Sequence, residues 1–331
     1  MTARRGTAVA SALLALLAAV GCGLGPGTDV GDVHLTVSRD YGAEPILESS
    51  VAAKESDTVM RVLEGEAEIE TRYGGGYVHS IEGLVEESRG GDPYDWFFYV
   101  DGEESEVGAA DYEVEGGERI WWDYRNWSAV NHAPAVVGSW PAPFVDGIGG
   151  KRYPVVVRCM ESRGSLRTDD VQKEPRNCEM TRAALEREGV VIADSEPKGA
   201  IRVLVGPWDR VRTDPTARLI EDGPGESGVF ADFQIGVRPL SAIGRQRTNT
   251  EPGYGLVGLD EAGGEADEVG SDAGLVAATS RYGGPPVWVV TGGSEEAVRA
   301  AAEALDADQL RDHYAVAVEG GNVTPLPLEK P

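Results

Sequence analysis

The sequence predicts two folded units of different class, an α+β unit with a mostly antiparallel sheet followed by an α/β layered unit. The chain has 331 residues, a length typical of two domains. Between residues 33 and 128 the sequence pattern predicts short strands around one short helix. Between residues 152 and 324 it predicts continuous apolar strands that alternate with helices. Residues 129–151, rich in proline and glycine, predict a linker or an extended crossover, and residues 325–331 predict a Pro-rich tail.

The elements of the first unit are indicated by alternation and by turn residues. Apolar and polar residues alternate over His34–Val37, and Thr58–Leu63 predicts a short helix behind the N-cap candidates Ser56 and Asp57. Four aromatic-rich strands are predicted after that helix, with Asp-Gly and Gly-Gly turns between them. They are Tyr77–Ile81, Asp95–Val100, Tyr112–Val114 and Arg119–Tyr124.

The elements of the second unit are longer apolar runs. Two helices are predicted, over Cys178–Glu188 and over the Ala-rich segment Glu295–Leu305. Ser294, followed by two glutamates, has the character of a helix N-cap, although Gly292 and Gly293 before it also suit a phosphate-binding turn. Strands are predicted at Tyr153–Cys159, Val190–Ala193, Ile201–Val205, Gly228–Gly236, Gly255–Leu259, Pro286–Val290 and Tyr314–Val318.

The N-terminus has the layout of a bacterial secretory signal. Arg4 and Arg5 precede an apolar, small-residue run over Ala8–Val20, which is too short to span a membrane. Cys22 closes this run in a pattern that resembles a lipobox, so residues 1–21 predict a signal peptide and residues 22–32 a lipidated tether. The expected location is extracytoplasmic, attached to the cell membrane by the lipid on Cys22. A plain signal peptide with an incidental cysteine is the alternative.

Cysteine usage fits an oxidising compartment. With Cys22 lipidated, Cys159 and Cys178 remain as one pair, and they predict a disulfide. A loop of that size gives a bridge worth on the order of 3 kcal/mol. A two-cysteine metal site is the alternative, but the four histidines are scattered along the sequence, so no metal is predicted.

The composition and the absence of certain motifs exclude some classes of function. Hydrophobic residues make up 41% and charged residues 26% of the chain, as in folded globular proteins, and the formal net charge is −26. This charge opposes binding to nucleic acid. Neither a G-x-S-x-G nor an H-E-x-x-H pattern is present, so the sequence predicts no enzyme.

The segment from Tyr77 to Trp127 holds four of the seven tryptophans, and its motifs resemble a known family. Y-V-H-S-I-E-G-L, W-F-F-Y-V-D-G, V-G-A-A-D-Y-E-V and G-E-R-I-W-W-D-Y occur in the order seen in the C-terminal domain of transcobalamin and intrinsic factor and in related bacterial domains. The resemblance covers about residues 33–127. It implies a β-grasp-like fold, so the expected architecture is an α+β β-grasp-like N-terminal domain followed by an α/β layered C-terminal domain.

The resemblance also implies ligand-binding positions. In cobalamin carriers this domain covers one face of the corrinoid, and the positions of this chain that match are Ser80, Ile81, Trp96, Phe98 and Tyr99. Because side chains alternate along a strand, Trp96 and Phe98 share one face while Tyr99 lies on the other, and one face must pack as core. The helical barrel that completes the carriers' site has no counterpart in this sequence.

These observations lead to one expected function and one alternative. The first is a lipid-anchored extracytoplasmic binding protein without a cofactor, which captures a cobalamin-like or other small ligand and passes it to a transporter partner. The second is a non-catalytic surface module that binds a protein or a cell-wall polymer, with the aromatic residues mostly in the core.

Overall fold

The computed structural model describes residues 27–160, 174–236, 253–266, 269–270, 272–281 and 284–329. The predicted signal peptide and Cys22 lie outside this part of the chain. Within it the architecture is mixed α/β, and strands outnumber helices.

The N-terminal unit is a twisted sheet with one helix and a smaller sheet on one of its faces. Its main sheet has the strand order β2-β1-β9-β7-β6, with β8 paired to β7, and β3-β4-β5 form the small sheet. The central neighbours β1 and β9 are parallel, whereas β1–β2 and β7–β9 are antiparallel. The elements are β1 Asp29–Arg39, β2 Glu44–Lys54, α1 Val59–Glu66, β3 Ile69–Arg72, β4 Tyr77–Ile81, β5 Leu84–Val85, β6 Glu87–Arg89, β7 Asp92–Val100, β8 Glu103–Glu104 and β9 Arg119–Asn126.

An N-terminal cap and a helical spacing of apolar residues explain where helix α1 forms. The hydroxyl oxygen of Thr58, rather than Ser56 or Asp57, accepts a hydrogen bond from the Arg61 N–H at 3.3 Å. Its buried residues Val59, Met60, Val62 and Leu63 share one helical face. This face packs on Val33, Leu35 and Val37, the inward-pointing residues of β1.

The second unit is built on a six-stranded mixed sheet of order β10-β11-β16-β15-β17-β18. The strands β10, β11 and β16 are parallel, and the others are antiparallel. A separate three-stranded sheet, β12-β13-β14, shares an apolar core with it. The strands are β10 Val155–Cys159, β11 Ile201–Pro207, β12 Ala231–Ile235, β13 Tyr254–Leu259, β14 Glu265–Ala266, β15 Gly274–Thr279, β16 Val287–Gly292, β17 Ala315–Glu319 and β18 Asn322–Leu326.

Helices cover one face of the six-stranded sheet. Residues of α3 and α6 share a core with its parallel strands, and the hydroxyl oxygen of Ser294 caps α6 by accepting from the Ala297 N–H at 3.2 Å. The N-cap interpretation of Ser294 is thereby confirmed. The helices are α2 Ala142–Val145, α3 Arg176–Arg187, α4 Trp208–Val211, α5 Pro224–Ser227, α6 Glu295–Glu303 and α7 Ala307–Leu310.

Several segments differ from the sequence expectation. Tyr112–Val114 and Val190–Ala193 form only isolated bridges, Thr58 with Glu113 and Val155 with Ile192. The predicted tail, residues 325–331, is packed as far as Leu328, because Leu326 ends β18 and both leucines are buried.

The connection over residues 129–151 is buried along its middle part, residues 133–144, rather than an exposed tether. Val130, Ala133 and Val136 join one core with residues of both units, and Trp140 and Phe144 join the core beneath the helices. The two units therefore pack against each other through a continuous apolar interior.

Candidate functional site

The aromatic strand β7 is covered on both faces. Trp96, Phe98 and Val100 pack with the α1 core, while Phe97 and Tyr99 pack with residues of the second unit. This alternation confirms the predicted division of the strand into two faces. Neither face of β7 lies open as a flat aromatic surface.

On the α1 side the aromatic rings are fixed by mutual contacts. The Trp96 indole N–H donates to the carbonyl oxygen of Leu84 at 3.0 Å, and its ring centroid lies 5.1 Å from that of Tyr124. Phe98 stacks on Trp122 at 4.9 Å. Of the five positions that the family resemblance indicates, Ser80, Ile81, Trp96 and Tyr99 are buried and Phe98 is half-buried.

Tyr99 lies on the opposite face of β7 from Trp96 and Phe98. Its ring is in contact with Trp121 and with Tyr314 of the second unit, each at a centroid distance of 5.5 Å. Its exposed fraction is 0%. The structure therefore does not bring the five predicted positions together on one surface.

Two charged residues of β9 are buried at the junction between the units. Asp123 accepts hydrogen bonds from the Ser38 hydroxyl at 2.6 Å and the Gly42 N–H at 3.0 Å, and from Tyr314 at 3.2 Å. Arg125 donates to the carbonyl oxygen of Val130 at 2.6 Å and lies 3.7 Å from the ring centroid of Phe97. Burial raises the pKa of Asp123, and the nearby Arg125 opposes that rise.

Further along the same face, the two units form an open cleft of about 270 Å³. Its walls come from three adjacent strands and from the turn after α7, and they carry charged and hydroxyl side chains. The lining residues are His34, Leu35, Thr36, Glu48, Ser49, Ser50, Arg119, Arg311 and Asp312.

The register of the sheet explains which side chains meet in the cleft. Parallel pairing sets His34 beside Arg119, and antiparallel pairing sets His34 beside Ser50 and Thr36 beside Glu48. Neighbouring strands lie about 4.8 Å apart, so these side chains form one contiguous surface. On β9 the odd-numbered residues from Arg119 to Arg125 share this face, because the intervening Ile120, Trp122 and Tyr124 fill the α1 core.

The second unit reaches the cleft through Arg311 and Asp312. Asp312 has a positive φ of 56° and lies against two glycines, Gly42 of the β1–β2 turn and Gly138 of the connection. A Cβ on Gly42 would stand 1.8 Å from the Asp312 carbonyl oxygen, and one on Gly138 would stand 2.8 Å from the His313 nitrogen. The absence of both side chains lets this turn close one end of the cleft.

The charges of the cleft are unevenly compensated. Burial, with a smaller contribution from Glu48, raises the pKa of Asp312 to about 6, whereas Arg311 and Arg119 act in the opposite direction. Arg311 also contacts Asp308 at 3.4 Å. Within the described part of the chain, the guanidinium of Arg119 makes no hydrogen bond and no ion pair within 4 Å.

The cysteine pair forms the predicted disulfide, which joins the end of β10 to the first turn of α3. The sulfurs of Cys159 and Cys178 also lie close to a carboxylate of Glu174, and no other group of three metal-ligating side chains is as compact among the described residues. Because the two sulfurs are bonded to each other, they are not thiolate ligands here.

Sequence reasoning missed the cleft. The alternation of Arg119, Asp123 and Arg125 with Ile120, Trp122 and Tyr124 along β9 is a usable signal, since it sets charged residues, interrupted only by Trp121, on the face opposite an apolar and aromatic row. Nothing in the sequence near Arg311 and Asp312 indicated that they meet β1 and β2, because that contact depends on how the two units pack.

Comparison with known proteins identifies a domain in the N-terminal unit. Residues 56–126 match the family described as Domain of unknown function (DUF4430). The matched segment begins just before α1 and ends with β9, so it omits the β1–β2 hairpin that completes the sheet. No curated protein matches the chain significantly.

None of the helices in the described part of the chain combines the length and the apolar character of a membrane span.

Proposed function

We propose that this protein is a non-catalytic, lipid-anchored extracytoplasmic binding protein that holds a small ligand in the cleft between its two units. The proposal rests on the observation that residues of both units line the cleft. Its floor belongs to β1, β2 and β9, and its end wall is the Arg311–Asp312 turn of the second unit. Sites between two domains are a common location for small-molecule binding.

Within this proposal the N-terminal unit is a β-grasp domain of the transcobalamin C-terminal type. The strand order β2-β1-β9-β7, with a parallel central pair and α1 on one face, supports that interpretation. The match of residues 56–126 to DUF4430 is consistent with it. The second unit is then the α/β layered domain, with α3 and α6 on one face of its sheet.

The ligand that we propose is smaller than a corrinoid. A flat macrocycle requires an open apolar face, and the matching positions Trp96 and Tyr99 are 6% and 0% exposed. Addition of cobalamin to the full chain is therefore expected to leave tryptophan fluorescence and the corrinoid absorption spectrum unchanged. A saturable change in either would favour the corrinoid instead.

The location is proposed from the N-terminal sequence, in which a basic and apolar segment ends at Cys22. A transporter in the same membrane is the partner proposed for such a protein, because the lipid would hold the binding protein beside it. Cys22→Ala is expected to release the protein from the membrane fraction. Unchanged membrane attachment of that variant would contradict the lipidation.

The experiment that tests the binding site is native mass spectrometry of the full chain incubated with the small-molecule fraction of its growth medium. Ser50→Trp fills the cleft and is expected to abolish the ligand adduct. Ser88→Trp, on the exposed strand β6 at the other edge of the sheet, is the matched control and is expected to retain it. An adduct that survives in Ser50→Trp, or the absence of any adduct on the unaltered chain, would contradict the proposal.

A further inference from the structure

We infer that the cleft selects a small oxyanion, a ligand that presents a carboxylate or a phosphate group to the guanidinium of Arg119. This inference deepens the proposed function and rests on it, because it assigns the chemical class of the ligand to the same cleft.

The guanidinium of Arg119 differs from many others in this strongly acidic chain. The protein has 56 acidic and 30 basic residues, and many of its arginines are engaged by carboxylates: Arg39 with Glu44, Arg72 with Glu86, Arg158 with Glu196, Arg202 with Asp214 and Arg212 with Glu221. The guanidinium of Arg119 has no carboxylate within 4 Å among the described residues, and its charge acts on Asp312 and Asp101 from a greater distance. It lies on the floor of the cleft. Its planar fork of N–H donors matches a carboxylate or phosphate group.

The groups around Arg119 also suit an oxyanion. His34 is its direct neighbour across the parallel pair, Ser50 lies one strand further, and Thr36 follows on the same face of β1. Hydroxyl groups and imidazole N–H groups both donate hydrogen bonds to oxyanions. Arg311 approaches from the second unit. A ligand oxyanion on Arg119 would thus have donors on three sides.

The two carboxylates of the cleft, Glu48 and Asp312, limit which anions the cleft can bind. Glu48 and Asp312 would repel an anion when both are ionised, and the pKa of Asp312, raised by burial to about 6, places its ionisation near neutral pH. The charged groups facing Asp312 are Glu48 from β2, Arg119 and Asp123 from β9, and Arg311 beside it. Protonation of Asp312 removes a negative charge, so anion affinity is expected to rise as the pH falls through about 6.

The test is calorimetric titration of the full chain in detergent with inorganic phosphate and with citrate, at constant ionic strength and at pH 5.5 and 7.5. The structure predicts saturable binding of at least one of the two anions, stronger at the lower pH. Arg119→Gln is expected to weaken it at least about tenfold, because a charge-assisted hydrogen bond is lost. Arg119→Lys keeps the charge and is expected to recover part of the affinity.

Three further variants separate the proposed anion site from general charge effects. Arg61→Gln makes the same charge change on α1, on the other face of the sheet, and is expected to bind as the unaltered chain does. Asp312→Asn is expected to bind more tightly at pH 7.5 and to reduce the dependence on pH, whereas His34→Gln reports the histidine contribution. Thermal unfolding of each variant verifies that it is folded.

The inference is overturned if neither anion gives saturable binding, or if Arg119→Gln and Arg61→Gln bind equally. Failure of the anion inference remains distinguishable from failure of the proposed function. If the adduct from growth medium disappears in Ser50→Trp but persists in Arg119→Gln, the cleft binds a ligand that is not anchored by an oxyanion. If no adduct forms on any variant, the proposed function itself fails.

Discussion

At the scale of single residues, the junction between the units depends on two charges that are removed from water. Asp123 and Arg125 are both 0% exposed and lie on the same face of β9. Asp123 is held by three hydrogen bonds, while Arg125 combines one hydrogen bond with close contact to the Phe97 ring. Two further nitrogen atoms of Arg125 have no hydrogen-bond partner in the described part of the chain, so the aromatic rings around it replace water.

Replacement of Arg125 by Met is expected to destabilise the fold by about 3 kcal/mol, because the buried Asp123 carboxylate loses its compensating charge. Urea unfolding at pH 7 measures the change. The double variant Arg125→Met/Asp123→Asn is expected to recover part of the loss, since no uncompensated charge remains. Equal stability of Arg125→Met and the unaltered chain would show that the guanidinium does not balance Asp123.

Asp101 provides a second prediction, on pH dependence. It follows β7 and is 2% exposed. Burial raises the pKa of Asp101 to about 8, even though its carboxylate accepts a hydrogen bond from the backbone N–H of Arg119 at 2.9 Å. Because the folded pKa lies above the unfolded value, the folded state is destabilised progressively as the pH rises from about 4 to about 8. Asp101→Asn keeps the acceptor and removes the charge.

Asp101→Asn is therefore expected to unfold at the same temperature as the unaltered chain near pH 4 and to be more stable at pH 8, by at least about 1.4 kcal/mol. Thermal unfolding across this pH range measures the difference. A constant difference between the two proteins at all pH values would contradict the assigned ionisation.

At the scale of elements, close backbone approach at Gly42 fixes how the α7–β17 turn meets the β1–β2 turn. Gly42 has a φ of +84°, and a Cβ there would overlap the Asp312 carbonyl. Gly74, in the exposed turn between β3 and β4, has a similar φ of +77° and no atom near its absent Cβ. The two positions therefore differ in contact but not in backbone conformation.

Gly42→Ala is expected to destabilise the protein by more than Gly74→Ala, which carries only the conformational cost of about 1–2 kcal/mol for a left-handed residue. The difference between the two losses of stability measures the clash with Asp312. Gly42→Ala is therefore expected to unfold at a lower urea concentration than Gly74→Ala. Because the same turn forms the end wall of the cleft, Gly42→Ala is also expected to weaken ligand binding. Equal effects of the two substitutions would contradict the tight contact.

The elements that the sequence predicts best are those with clear local patterns. Helix α1, strands β7 and β9, and the capped helix α6 form close to where periodicity and caps place them. Strand β2 was missed because, as an edge strand, it is largely polar or exposed over Glu44–Lys54 and lacks an apolar run. The C-terminal strand β18 extends into the predicted tail of residues 325–331, an overlap that the sequence does not indicate because Pro325 and Pro327 obscure the pairing of Asn322–Leu326 with β17.

At the scale of the whole molecule, the two units behave as one packed body. Tyr99 and Trp121 of the first unit share a core with Phe230 and Tyr314 of the second. The sequence could suggest the boundary between the units, but it could not show that the connection is buried, since its prolines and glycines are equally typical of a flexible linker. The cleft escaped prediction for the same reason, as it exists only where the two units meet.

This shared core predicts cooperative unfolding of the full chain, in a single calorimetric transition, because neither unit keeps its interior without the other. A fragment that ends at residue 128 would expose Tyr99 and Trp121 and is expected to aggregate or to bind a dye specific for apolar surface. Two separate transitions, or a stable and soluble fragment, would contradict a common core.

The central claim is that the cleft, rather than the aromatic strand, receives the ligand. The most direct measurement is backbone and side-chain chemical-shift mapping by NMR of the full chain, with and without the ligand fraction of the growth medium. The structure predicts that the resonances of His34, Ser50 and Arg119 shift, while the Trp96 indole and the Tyr99 ring stay unchanged. Shifts confined to Trp96, Phe98 and Tyr99, with none at the cleft, would contradict the claim.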